Sequence, residues 1–255
     1  MDDLSLALHV ARAGAEVVRS ATASTVTYKS DTSPVTEIDA AAETTIKQIL
    51  ASQRPDDAVV AEESEVTGDG IRRWYIDPLD GTVNFINGIP HVAISVGLWE
   101  EEEPRVAAVV DVFRGDEFTA VAGEGAFLGE ARLGVSARSD LYPSVVATGF
   151  PYSHRDDPER YAAALHVVLA EVQGVRRFGS AALDLAWTAA GRLDAYYETG
   201  ISPWDIAAGL LLVTEAGGVT TDFSGNRALP TSGSVMAAGP GIHAELLELV
   251  AGAFG

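Results

Sequence analysis

The chain of 255 residues contains no cysteine, which excludes disulfides, thiol nucleophiles and thiolate metal sites. It also lacks any run approaching eighteen uncharged apolar residues, and its N-terminus is acidic and periodic. We therefore expect neither a membrane span nor a signal peptide, and a cytoplasmic location. Carboxylates, hydroxyls and five scattered histidines remain for chemistry, so any bound metal should be a hard cation.

Basic residues are scarce as well. There are 17 basic against 37 acidic side chains, a formal net charge of −20, and only Lys29 and Lys47 are lysines. Nucleic-acid backbones should be repelled by such a chain. Adaptation to a salt-rich cytoplasm and an ordinary acidic surface explain the charge equally well, and the four glutamates at 100–103 are typical of a solvated loop at a strand end.

The hydrophobic pattern predicts an α/β fold. Helical spacing covers residues 2–20 and 39–50, while the polar segment 27–39 lacks periodicity and should be a mobile surface segment. From residue 58 short β-rich runs predict an antiparallel sheet, and after about residue 140 strands alternate with helices. We expect α/β layers in one compact unit, with helices and an antiparallel sheet in 1–135 and an α/β half in 136–255.

Four acidic residues are expected at the ends of these elements. Glu62 follows the strand AVVA, Asp77 ends RRWYI, Asp80 lies in the next turn, and Asp205 lies in the first turn of a helix. Four converging carboxylates without cations would be costly, because each raises the pKa of the next. Two Mg²⁺ ions would balance the four charges, and the carbonyl of Leu79 could supply a further oxygen.

Gly81 and Thr82 follow the acidic turn. A helix beginning at Thr82 would direct free backbone N–H groups at a phosphate beside the metals, and glycine would allow its close approach. Two adjacent ions could bind the attacking water and the leaving oxygen of a phosphoester. The sequence therefore indicates a metal-dependent phosphate hydrolase.

Each signal is weak when taken alone. The stretch AEES is compatible with a strand end that carries solvated glutamates, and D-P-x-D-G is a frequent turn composition. Asp205 could simply stabilise a helix N-terminus. Only the joint occurrence of these features favours a functional site.

Four stretches together resemble the motif set of the inositol monophosphatase family: VTEID (35–39), AEES (61–64), DPLDGTVNF (77–85) and PWDIAAG (203–209). GSAALDLAWTAAGRLDAYYE (179–198) matches as well, so the resemblance covers nearly the whole chain. It implies a layered αβαβα sandwich of the type shared with fructose-1,6-bisphosphatases. It also implies a homodimer that hydrolyses small-molecule phosphate monoesters with Mg²⁺ and is often inhibited by lithium.

The same resemblance implies roles for individual residues. Glu62, Asp77 and the Leu79 carbonyl should surround a first Mg²⁺, and Asp77, Asp80 and Asp205 a second, with a third, weaker ion near Glu62. Thr82, supported by Asp39, should orient the attacking water. The histidines fall outside every motif and are interpreted as surface or packing residues.

The substrate pocket follows from the resemblance too. Glu198 should bind sugar hydroxyls, and the backbone of Gly179, Ser180 and Ala181 should line the same pocket. Asp80, Gly81, Thr82 and Asp205 should contact the substrate as well. Lys29 matches a loop lysine of the family, although the loop is one residue shorter here.

The resemblance makes myo-inositol 1-phosphate the expected substrate. Fructose 1,6-bisphosphate, histidinol phosphate and 3′-phosphoadenosine 5′-phosphate are rivals, the last least favoured in an acidic chain without an extra basic pocket. Some members of the family also act as regulatory proteins that bind the transcription machinery. Retention of every metal ligand argues against a purely non-catalytic role.

Overall fold

The computed structural model of the protein describes residues 1–21, 26–28 and 34–254. Helix α1 spans Asp3–Ser20 and helix α2 spans Glu37–Gln53. Their axes approach closely at Gly14, where a Cβ would lie 2.8 Å from the Ile46 side chain. The two helices predicted at the start of the chain are therefore confirmed.

The predicted aperiodic segment is partly ordered. Two short strands, β1 (Val26–Tyr28) and β2 (Pro34–Thr36), pair in antiparallel fashion. Helix α2 begins two residues earlier than predicted, because Thr36 and Asp39 form a capping box around its first turn. Residues 22–25 and 29–33 lie outside the described residues, so the predicted mobility of this segment stays a prediction.

The first large sheet has seven strands in sequential order. They are β3 (Ala58–Ala61), β4 (Arg72–Asp80), β5 (Ala93–Glu100), β6 (Glu103–Asp111), β7 (Glu117–Val121), β8 (Gly125–Leu128) and β9 (Ala131–Arg132). All neighbours are antiparallel except β3 and β4, which run parallel. The prediction of an antiparallel sheet is wrong at this edge, because residues 62–71 carry the chain back to the starting end of β3.

The second large sheet has five strands in the order β11-β10-β12-β14-β13. They are β10 (Val145–Thr148), β11 (Gly174–Arg176), β12 (Ala195–Thr199), β13 (Val219–Thr221) and β14 (Ser234–Ala238). The remaining helices are α3 (Thr82–Ile86), α4 (Pro158–Glu171), α5 (Ala181–Ala189), α6 (Pro203–Glu215) and α7 (His243–Phe254), and a 3₁₀ turn covers Tyr152–Asp156. The alternation of strands and helices predicted after residue 140 is confirmed.

Three hydrophobic cores stack these elements into five layers. One core joins α1 and α2 to one face of the seven-stranded sheet. A second joins the other face of that sheet to α5, α6 and the five-stranded sheet, and a third covers the far side of the five-stranded sheet with α4 and α7. The chain is thus an αβαβα sandwich, as expected.

Close packing in the central layer depends on small residues. At Gly97 of β5 a Cβ would lie 2.9 Å from the backbone nitrogen of Ala208, so α6 rests directly on the sheet.

The seven-stranded sheet lies before residue 135 in the chain and the five-stranded sheet lies after residue 136. The division of the chain into 1–135 and 136–255 stays a prediction. No helix within the described residues is both long and apolar enough to cross a membrane.

Candidate active site

A cavity of about 310 Å³ opens where the end of β4 meets the first turns of α3, α5 and α6. It is lined by most of the residues that the sequence predicted for the site: Glu62, Asp77, Leu79, Asp80, Gly81, Thr82, Gly179, Ser180, Ala181, Glu198 and Asp205. Asp39 lies directly behind Thr82. Lys29 lies outside the described residues.

The parallel pairing of β3 with β4 brings two of the acids to one edge of the sheet. Ala61 lies opposite Ile76 in the register, so the next residue of each strand, Glu62 and Asp77, meets at the same end. Both side chains line the cavity. An antiparallel pair would have placed them at opposite ends of the sheet.

A bulge in β4 explains the D-P-x-D spacing. Asp77 lies opposite Ser95 and Asp80 lies opposite Ala93, so three steps along β4 match two steps along β5. In a regular strand, residues three positions apart point to opposite faces. Because the bulge adds one residue to β4, the side chains of Asp77 and Asp80 both point to the face that lines the cavity.

Each of three carboxylates is held by short hydrogen bonds. Asp77 accepts from the backbone N–H of Leu79 at 3.0 Å. Asp80 accepts from the Ser180 hydroxyl at 2.5 Å and from the backbone of Ala182 at 2.8 Å. Asp205 accepts from the backbone N–H of Ser202 at 2.8 Å. For Asp80 and Asp205 these bonds all fall on Oδ2.

The cavity is strongly acidic. Burial, and then repulsion from Glu62, Asp80 and Asp205, raises the pKa of Asp77 well above its usual range. Burial likewise raises the pKa of Asp205, with repulsion from Asp80 and Glu62 adding to it. Burial raises the pKa of Asp80 to about 6 against the opposing effect of its two hydrogen bonds. A cation bound among these carboxylates would lower the cost of burying their charges together.

The acidic cluster fits Mg²⁺ by its chemistry. It presents four carboxylates and the carbonyl of Leu79 at one cavity, all of them hard oxygen donors. Within the described part of the chain, no three acidic or histidine side chains are already gathered at ligand distance around one point. The fit to Mg²⁺ therefore rests on the chemistry of these oxygen donors.

Thr82 is the N-terminal residue of α3 and is buried. Its hydroxyl lies 3.2 Å from Oδ1 of Asp39 and 3.2 Å from the carbonyl oxygen of Leu79. Because the hydroxyl proton goes to one of these acceptors, the oxygen can still accept a hydrogen bond from water. Asp39 is itself fixed by the hydroxyl and the N–H of Thr36.

Gly81 precedes Thr82 in the left-handed region, with a φ of +95°. A Cβ at this position would lie 2.8 Å from the carbonyl oxygen of His91. No other residue type could take this conformation in so little space. The predicted start of a helix at Thr82 is confirmed, and Gly81 leaves the backbone open to the cavity.

Glu198 forms the opposite wall of the cavity. It accepts a hydrogen bond from the hydroxyl of Tyr196, and a Cβ built on Gly149 would overlap its carboxylate. Burial raises the pKa of Glu198 to about 7, which the hydrogen bond from Tyr196 and the charge of Arg177 oppose. The side chain is therefore enclosed by protein and is not the exposed strand-end acid that its sequence position allows.

Several residues at or next to the cavity were not assigned from the sequence, among them Asn84, Arg177 and Asp184. The amide of Asn84 donates to the carbonyl oxygens of His91 at 2.9 Å and Phe178 at 2.8 Å, and so ties α3 to the turn before α5. Asp184 and Arg177 line the cavity itself. Asn84 lies inside DPLDGTVNF and Asp184 inside GSAALDLAW, so motif membership was the available signal. Arg177 lies two residues before the motif that begins at Gly179, so no motif in the sequence pointed to it.

The chain is similar over nearly its whole length to proteins of one family. The model of the inositol monophosphatase family matches residues 2–253. The chain is 43% identical over 227 residues to the inositol-1-monophosphatase of Rhizobium meliloti, covering 88% of this chain and 85% of that one. It is 42% identical over 226 residues to the Nus factor SuhB of Pasteurella multocida, with the same coverage. The crystal structure of the extragenic suppressor protein suhB from Bartonella henselae superimposes with a TM-score of 0.92 at 37% identity, covering 96% and 97% of the chains.

Proposed function

The chain belongs to the inositol monophosphatase family, and from this premise we propose that it hydrolyses the phosphate monoester of a sugar or cyclitol. Myo-inositol 1-phosphate is the proposed main substrate. The observation that carries the proposal is the cavity in which four buried or half-buried carboxylates face Glu198. A relative named inositol-1-monophosphatase supports it.

Two to three Mg²⁺ ions are the proposed cofactors. Glu62, Asp77 and the carbonyl of Leu79 would hold the first, and Asp77, Asp80 and Asp205 the second, with Glu62 beside a third, weaker site. When bound, the ions would neutralise the phosphate charge and lower the pKa of the attacking water. The family membership supports Mg²⁺, and the all-oxygen donor set is consistent with it.

Thr82 performs the proposed orienting step. Its hydroxyl donates to Asp39 or to Leu79, and its oxygen would accept a hydrogen bond from the water and so direct that water at phosphorus. Gly81 keeps the backbone open, so that the phosphate can approach the first turn of α3. Because Asp39 is buried and held by Thr36, the Thr82 hydroxyl has little freedom to turn away.

The remainder of the substrate would lie between the turn before α5 and the wall formed by Glu198. Gly179, Ser180 and Ala181 present backbone groups to it, and Glu198 accepts hydrogen bonds from its hydroxyls. Binding energy from these remote groups would favour polyol phosphates over simple esters. Lys29 is a proposed further contact from the segment beyond the described residues.

Phosphate release from a substrate panel tests this proposal. Myo-inositol 1-phosphate, fructose 1,6-bisphosphate, histidinol phosphate and 3′-phosphoadenosine 5′-phosphate would be compared with and without Mg²⁺. We expect Mg²⁺-dependent release, fastest from the inositol ester. A faster reaction with one of the other esters would change the proposed substrate, and no release from any of them would overturn the proposed activity.

A regulatory role is the second candidate, because several relatives are named Nus factor SuhB. It would be separable from catalysis: an Asp77→Asn variant should lose hydrolysis and keep the regulatory function.

We also propose that the protein is a cytoplasmic homodimer, that lithium inhibits it, and that it does not bind nucleic acid or membranes directly. Sedimentation of the full chain and phosphate release in LiCl test the dimer and the lithium sensitivity.

A further inference from the structure

Helix α2 presents two buried carboxylates to the segments that carry the candidate site. Asp39 and Glu43 are both buried, and residues four positions apart lie on one face of a helix. Asp39 contacts the Thr82 hydroxyl at the start of α3. One turn later, Glu43 accepts a hydrogen bond from the backbone N–H of Glu63 at 2.7 Å. The proposed orientation of the attacking water uses Asp39 only and leaves the contact of Glu43 without a role.

The contact of Glu43 falls on the peptide group that follows Glu62. Strand β3 ends at Ala61, so Glu62 lies beyond the last residue pair of the parallel ladder. A peptide group is planar, and its plane contains the Cα atoms on both sides. The hydrogen bond to the N–H of Glu63 therefore also restrains the Cα of Glu62, from which that side chain enters the cavity.

The burial of Glu43 distinguishes this contact from the next one along α2. One turn further on, Lys47 donates to the hydroxyl of the exposed Ser64 at 2.5 Å, where water can replace either partner. A hydrogen bond to a charged acceptor is stronger than one between neutral groups, and a buried carboxylate cannot exchange its donor for bulk water. Of the two contacts, that of Glu43 therefore restrains the chain more firmly.

We propose that Glu43 is a positioning residue, whose carboxylate fixes the peptide between Glu62 and Glu63 and so holds the Glu62 side chain ready to bind a divalent cation. This inference rests on the proposed function, in which Glu62 belongs to the first Mg²⁺ site. Helix α2 then serves both parts of the site, with Asp39 acting on Thr82 and Glu43 on the metal ligand. Loss of a group that orients a ligand typically weakens metal binding by roughly ten- to a hundredfold.

Calorimetric titration of Mg²⁺ into the metal-free protein tests this role without measuring activity. The variant Glu62→Ala identifies the site by the binding that it removes or weakens. Glu43→Met keeps the size of the side chain and lacks the acceptor, so the Kd of the same site should rise roughly tenfold. Glu43→Gln retains an acceptor oxygen, so its Kd should stay within about threefold of the unmodified value. A tenfold rise in Glu43→Gln as well would assign the effect to charge and overturn the proposal.

A double variant separates positioning from a general structural effect. If Glu43 acts through Glu62, adding Glu43→Met to Glu62→Ala should change the remaining Mg²⁺ binding by less than about twofold, because the ligand that Glu43 positions is already absent. Independent effects would instead add. A second loss as large as that of Glu43→Met alone would show that Glu43 affects the metal by another route, and would overturn the proposal.

Lys47→Met and Ile46→Val are matched controls on the same helix. The first removes the exposed contact to Ser64, and the second shortens a buried side chain that packs against Gly14 of α1. Both should leave the Kd for Mg²⁺ within about twofold of the unmodified value. A rise in either control equal to that in Glu43→Met would report a general loosening of α2 and would overturn the proposal.

A failure of the proposed activity remains distinguishable from a failure of this inference. The titration measures the effect of Glu43 even if no ester is hydrolysed, whereas normal phosphate release with an unchanged Kd in Glu43→Met would overturn the inference alone. If Glu43→Met does not fold, a backbone ester in place of the amide between Glu62 and Glu63 removes the donor and keeps every side chain. This ester should raise the Kd as Glu43→Met does, and an unchanged Kd would overturn the proposal.

Discussion

Asp80 accepts a 2.5 Å hydrogen bond from Ser180, one hundred residues further along the chain. The first residue lies at the end of a strand in the seven-stranded sheet, and the second caps helix α5, which packs between the two sheets. Ser180 also accepts from the N–H of Leu183 in the first turn of that helix. One hydroxyl therefore holds a carboxylate of the candidate site and the start of the helix in a fixed relation.

Loss of one carboxylate from the cavity should abolish hydrolysis and leave the fold intact. Asp77→Asn removes a charged oxygen from a site that the proposal assigns to two cations, so phosphate release should fall to background. Asp77 is buried and repelled by three other acids. The melting temperature without Mg²⁺ should therefore stay level or rise.

Asp80→Asn and Asp205→Asn extend this test. Both should lose activity, and binding of Mg²⁺, followed by calorimetry, should weaken in each variant. Glu130→Gln is a suitable control, because Glu130 is an exposed acid outside the cavity. Near-normal turnover by the Asp80 variant would contradict the two-ion arrangement.

The effect of Mg²⁺ on stability should grow as the pH rises. Burial raises the pKa of Asp80 to about 6 and that of Glu198 to about 7, and raises those of Asp77 and Asp205 as well. The folded, metal-free protein thus holds protons that the unfolded chain releases above about pH 4. Its stability should fall as these groups lose their protons towards pH 7.

The buried histidines act in the opposite direction. Burial lowers the pKa of His91 and of His243, which adds stability as the pH rises through the range of an unfolded histidine. Both are present with and without metal, so the contribution of His243 cancels in a difference, and that of His91 changes only through its interaction with Asp80. The melting temperature with Mg²⁺ minus that with EDTA should therefore widen from pH 5 to pH 8 at constant ionic strength. A constant difference would show that the metal does not bind at these acids.

The sequence predicted the helices, most strands and the candidate residues, because these leave local signals. The period of apolar residues marks α1, and the start of α3 follows from Gly81 and Thr82. The parallel pairing of β3 with β4 has no such signal, because it depends on the path that residues 62–71 take in the folded chain. Arg177 was missed for the same reason: only the folded chain shows that it borders the cavity.

Gly149→Ala should impair the substrate cavity with little change in the rest of the fold. A Cβ at this position would overlap the Glu198 carboxylate, so Glu198 must turn away or the loop must move. We expect kcat/KM for inositol 1-phosphate to fall by roughly tenfold or more, as for loss of a charge-assisted contact. Gly252→Ala is the control, because nothing lies within 4 Å of a Cβ there. If both variants kept full activity, Glu198 would not have to occupy its observed position.

Glu198→Gln tests the polyol wall itself. At pH 8, above the pKa of about 7 that burial gives Glu198, the variant keeps the size of the side chain and removes its charge, so hydroxyls of the substrate lose a charged acceptor. Such a contact is worth ~1.5 to 3 kcal/mol, and kcat/KM for inositol 1-phosphate should fall roughly ten- to a hundredfold. Activity towards p-nitrophenyl phosphate, which has no such hydroxyls, should change by less than about threefold, since remote binding energy is absent there. Equal losses with both substrates would place the effect of Glu198 in the metal site or in the fold.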